Sequence, residues 1–88
     1  MIYLSKLLNQ KVWDMYGRVV GNLDDLLVDN TEQSMPPIKA LLLKETSGSS
    51  ILIDADSLVT LWPSITLNRR SEDPMIYQPT GHELYLKQ

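Results

Sequence analysis

Apolar runs in this 88-residue chain reach four residues at most, as at Ala40–Leu43, and turn-forming glycine, proline, asparagine and aspartate separate them. Short apolar segments bounded by such residues favour strands over helices of several turns. The length suits one small domain, which buries about 60–65% of its unfolded surface and so has a thin stability margin unless it associates. With 43% hydrophobic and 22% charged residues the composition is that of a globular chain.

Ser5-Lys6-Leu7-Leu8 reads as one helical turn capped by Ser5, and Asn9 tolerates the left-handed conformation that ends such a turn. Lys11-Val12-Trp13 is a short strand. In Asp14-Met15-Tyr16-Gly17 the aspartate can accept backbone amides ahead of it and the glycine can take positive φ, so a hairpin turn is predicted there. The return strand, from Arg18 to Leu23, contains Gly21, which marks a bulge, a bend or a close backbone approach. The strand continues through Asp24–Asp29. Asn30–Pro37 is a loop, because its double proline cannot sit in a central strand. Ile38–Lys44 and Ser50–Asp54 form an antiparallel hairpin around Thr46-Ser47-Gly48-Ser49, and the apolar run of the first predicts burial on both faces. Asp54 caps a short turn through Leu58. Val59–Trp62 and Ser64–Leu67 are strand fragments broken by Pro63. The sum is an all-β domain, a small barrel of five to six short, mostly antiparallel strands with one or two helical turns.

After Leu67 the pattern weakens. Residues 68–88 read as a linker or mobile tail, which sets the domain at 1–67. Yet Leu84-Tyr85-Leu86-Lys87 echoes Ile2-Tyr3-Leu4-Ser5-Lys6. The echo is either the start of a second repeat or a strand packing back on the barrel.

The order of these signals resembles the PRC-barrel family. The matching pieces are Leu4-Ser5-x-Leu7-Leu8, then Val12-x-Asp14-x-x-Gly17-x-x-Val20-Gly21, Leu26-x-Val28-Asp29, Pro37 with Ile38–Leu43, and Ile51–Asp54 leading to Ser57-Leu58. They cover residues 2–67. Asn9 departs from the glycine often found there. The run Val59–Leu67 is similar to the variant at the N-terminus of bacterial membrane proteins related to the magnesium transporter. The resemblance implies a non-catalytic, cytoplasmic barrel that acts by docking on a protein partner or on other domains of a longer chain, with a homodimer as one such contact. A second barrel-like repeat would then follow. The alternative within the family is a ribosome-maturation or RNA-processing accessory domain.

The residues themselves close most other doors. Without cysteine there is no disulfide, thiolate nucleophile or cysteine-ligated metal, and His82 is the lone histidine. Eight basic against eleven acidic residues give a net charge of −3, and the adjacent pair Arg69-Arg70 is followed by Glu72 and Asp73, which disfavours direct nucleic-acid binding. No run approaches the ~20 apolar residues of a membrane span, and the first residues lack a signal-peptide pattern. No nucleophile-elbow or phosphate-loop motif is present, so no catalytic residue and no cofactor is assigned. Asp24, Asp25 and Asp29 are the candidates for a divalent cation, but their spacing is not that of a calcium loop, and neighbouring strand residues point to opposite faces. Asp14, Gly17 and Gly21 are read as turn and backbone devices. Tyr16, at a turn tip, and Trp62, expected partly buried before Pro63, are the candidate contact residues.

Overall fold

The computed structural model describes residues 3–31 and 36–87. A single α-helical turn, α1 (Leu4–Leu7), precedes β1 (Lys11–Trp13), β2 (Val19–Asp29), β3 (Ile38–Lys44) and β4 (Ser50–Asp54). A 3-10 turn (Ala55–Ser57) leads to β5 (Leu58–Thr60), β6 (Ile65–Leu67) and β7 (Glu83–Tyr85). The protein is all-β. Its sheet runs β4-β3-β2-β1-β6-β5, with β7 beside β2. The ends of that path, β4 and β5, are not paired with each other, so the ladder is an open path rather than a closed ring. Among the described residues all strand pairings are antiparallel except β1 with β6.

Local chemistry explains most boundaries. Asn9 takes φ 68° just after α1. Tyr3 occupies the cap position of α1 and gives no side-chain cap bond, so the turn begins two residues earlier than a Ser5 cap would set it. Gly17 has φ 76°, and its amide donates to the Asp14 carbonyl. Asp54 accepts the Asp56 amide and caps the 3-10 turn as expected. Residues 32–35 of the polar loop, the first two residues and Gln88 lie outside the described residues.

Strand β2 organises the rest. Its 11 residues make it the longest of the strands described, and it pairs with β1, β3 and β7. β3 flanks one side of it. On the other side the three residues of β1 reach only Val19–Asn22. A bulge between Leu23 and Asp25 inserts Asp24 against β3, so Asp24 and Asp25 do not follow simple alternation. The core holds Leu7, Val12, Leu23, Leu41, Ile53 and Ile65, all buried, each worth about 1.5–3 kcal/mol of transfer free energy. On the opposite face of the same strands Leu27 and Ala40, paired in register, are also buried.

Residues 68–87 differ from the expected linker, because they pair with the sheet at two strand edges. The Asp54 amide donates to the Met75 carbonyl, the Tyr77 amide to the Leu52 carbonyl, and Ile76 bridges Ile53, so this stretch lines the outer edge of β4. Six residues later β7 pairs with Leu27–Asp29, the part of β2 that β1 leaves unpaired. A strap thus joins the edge of β4 to the far edge of β2. Backbone groups along an 11-residue strand need partners, and the strap supplies them where the short β1 stops.

Candidate interaction surface

The sequence-derived site residues fall into three separate places. The first is the Asp14 turn. The Asp14 side chain is fully buried. Its Oδ1 accepts the amides of Tyr16 (2.9 Å) and Arg18 (2.8 Å); its Oδ2 accepts Arg18 Nε (2.8 Å) and the Ser71 amide (3.0 Å). Burial alone pushes such a carboxyl up, but the donated bonds from Arg18, Ser71 and Tyr16 outweigh it and hold Asp14 well below the usual carboxylate range. Arg18 reaches on to Glu72 Oε2 at 2.7 Å and lies over the Tyr16 ring at 5.4 Å. Turn and strap are therefore one unit. Gly21, farther along β2, meets the β3 backbone: a Cβ there would lie 2.6 Å from the Lys44 carbonyl oxygen.

The aspartates of β2 form the second place, and the structure separates them. Asp25 is buried, its Oδ1 accepting the amides of Leu26 (2.7 Å) and Lys87 (2.9 Å). Asp24 pairs with Lys87 Nζ at 3.2 Å. Asp29 pairs with Glu83 in the β2–β7 ladder. Among the described residues no group of three His, Cys, Asp or Glu side chains is placed to hold a metal ion. Nor is any helix of the described residues long and apolar enough to cross a membrane.

The third place is the outward face of β2, β1, β6 and β5. Val19, Trp13, Thr66 and Thr60 stand in register across these four strands, with Val12 and Ile65 buried on the other side. The Thr60 and Thr66 hydroxyls share a 2.6 Å hydrogen bond. Trp62 lies in the connection from β5 to β6 and Tyr16 in the connection from β1 to β2; because β1 and β6 are parallel, these fall at opposite strand ends. Tyr16 is 64% exposed, as a turn tip should be; Trp62, expected partly buried, is instead exposed at 50%, because it lies in the connection between two three-residue strands rather than within either. β5 ends the sheet path.

Sequence reading passed over Tyr77 and Glu83. The Tyr77 hydroxyl donates to Glu83 Oε2, and the same carboxylate accepts the Thr80 and Gly81 amides. The spacing Thr80-x-x-Glu83 is a capping-box pattern and was the available signal. The Tyr77 bond, reinforced by Thr80 and Gly81 against burial, holds Glu83 down to about 2. The same bond, then burial and the charges of Glu83, Asp54 and Asp29, push Tyr77 up to about 12. Two pH effects follow. Glu83 adds stability above its unfolded value of about 4.3, lost as pH falls through about 2 because the unfolded chain takes the proton first. Tyr77 adds stability below its unfolded value of about 10, lost as pH rises through about 12. Melting temperatures across pH should show both declines, and Tyr77→Phe should erase the alkaline one and shrink the acid one. Superimposable profiles would remove the pair from the fold's stability.

Compared with known proteins, the chain matches no family model and no curated protein.

Proposed function

We propose that this protein is a non-catalytic β module that docks on a protein partner through the outward face of β1, β5 and β6. The observation that carries the reading is the exposure of Tyr16 and Trp62, two aromatics in the β1–β2 and β5–β6 connections, next to the strands that carry the row Val19, Trp13, Thr66 and Thr60. Aromatic side chains bring large contact area at small entropic cost and are enriched where proteins meet. Arg18, itself paired with Asp14 and Glu72, stacks over the Tyr16 ring, and β5 ends the sheet path on this side. From the resemblance of residues 2–67 to PRC-barrels comes the narrower proposal. The module serves as a regulatory or assembly piece, working at the cytoplasmic side of a larger magnesium-transporter-related protein.

The test is site-specific photo-crosslinking in cells. A crosslinker at residue 16 or 62 should capture a protein, while one at Ser47, in the β3–β4 turn, should not. Capture from Ser47 alone, or from no position, would overturn the assignment. Tyr16→Ser and Trp62→Ser should leave folding within about 0.5 kcal/mol of wild type, since neither side chain is buried. Their effect belongs to binding.

A further inference from the structure

We propose that the partner meets this module through an acidic segment, an extended stretch of protein that sets carboxylates on Lys11 and Lys44 and lies against Trp13. The proposal rests on docking through the aromatic face and adds the partner's chemistry. Lys11, Asn22, Lys44 and Ser50 stand directly opposite one another across β1, β2, β3 and β4, and all four are exposed. Their row lies beside the row Val19, Trp13, Thr66 and Thr60, because Lys11 and Trp13 are two apart on β1 and share its outward side. The two rows form one face that carries two lysines and no acid, on a chain whose net charge is −3.

The fold makes no internal use of these lysines. Among the described residues neither Lys11 nor Lys44 forms an ion pair, whereas Arg18 is held by Asp14 and Glu72. Of the acids nearby, Asp24 is already paired with Lys87 at 3.2 Å, and Glu45 stands past the end of β3. Opposite charges directly across a sheet stabilise it. Yet the residue between the two lysines is the neutral Asn22, whose amide donates to the Asn9 carbonyl at 3.3 Å. Both ammonium groups are thereby left to an incoming anion. Two strand spacings, about 10 Å, separate the lysines, and an extended segment places alternate side chains ~7 Å apart on one side, within reach of both flexible stems. The occupant is a protein segment because a phosphate chain would meet two cations and, beyond them, a net negative molecule.

The test uses the full chain with a copolymer of glutamate and tyrosine as the acidic probe. The copolymer should shift the amide resonances of Lys11, Trp13, Asn22 and Lys44, and oligouridylate should bind more weakly. Lys11→Gln with Lys44→Gln should weaken copolymer binding about fivefold, the size of two exposed ion pairs. Lys6→Gln with Lys39→Gln, in α1 and at the other end of β3, reaches the same net charge and should leave binding unchanged. Asn22→Asp puts a carboxylate between the lysines, so it should weaken binding to a similar degree with a melting temperature no lower than wild type. Equal weakening by the two lysine pairs, copolymer binding that Asn22→Asp leaves intact, no copolymer binding, or oligouridylate bound as tightly would overturn the proposal. Crosslinking from residues 16 and 62 separates it from the docking reading. Capture undiminished by Lys11→Gln with Lys44→Gln overturns the acidic partner alone, whereas no capture by the wild-type chain removes the docking face and the acidic partner with it.

Discussion

Gly21→Ala should lower the melting temperature by roughly 15 °C, corresponding to about 3 kcal/mol for a chain of this size. The added methyl would sit 2.6 Å from the Lys44 carbonyl oxygen, 3.1 Å from its carbon and 3.3 Å from the Glu45 Cα. All three are main-chain atoms at the end of β3, so no side-chain rotation relieves the contact. The strands must separate where β2 is paired with β1 on one side and β3 on the other. Gly17 is the natural control. It has φ 76° and open space where a Cβ would be, so Gly17→Ala introduces backbone strain alone, about 1 kcal/mol, or roughly 5 °C. Thermal melts of both variants separate crowding from strain. Equal losses would mean that the end of β3 yields freely and that Gly21 is not a packing requirement.

Asp14→Asn should lower the melting temperature by roughly 10 °C at neutral pH despite conserving the side chain's volume. Each Asp14 oxygen accepts two N–H donors, and an asparagine presents its own N–H groups to one of those pairs whichever way the amide turns. One choice opposes the turn amides of Tyr16 and Arg18; the other opposes Arg18 Nε and Ser71. The second would release the strap near Ser71, which amide exchange at that residue would detect. The pH dependence carries the sign. A carboxyl held below its usual range in the folded state adds stability above its unfolded value of about 3.9, and that stability drains away as pH falls below it. Wild type and variant should therefore differ most near neutrality and converge in acid. A gap independent of pH would assign the loss to shape rather than to the charged form of Asp14.

The positions where sequence reading succeeded share a physical character. Asn9, the Asp14–Gly17 turn and the Asp54 cap are decided within four residues, by which side chains accept nearby amides and which backbones tolerate positive φ. Ile38–Lys44 and Ser50–Asp54 follow from apolar runs bounded by breakers, and a glycine inside a strand pointed to a bulge, a bend or a close backbone approach, the last of which is found at Gly21. Ser5 failed as a cap because a four-residue turn held by packing can begin two residues earlier at little cost. Asp24 and Asp25 were read on simple alternation, which the bulge against β3 breaks.

From the residues alone came the all-β class, the strand order along the chain and the turns that connect it, because each rests on neighbours in sequence. Tertiary structure alone decided the fate of residues 68–87 and the second roles of Asp14 and Asp25. These carboxylates accept amides from Ser71 and Lys87, 57 and 62 residues away. No local periodicity marks such contacts. β7 finds its place because β2 is longer than β1, and an unpaired stretch of strand edge takes whichever segment of the chain can reach it.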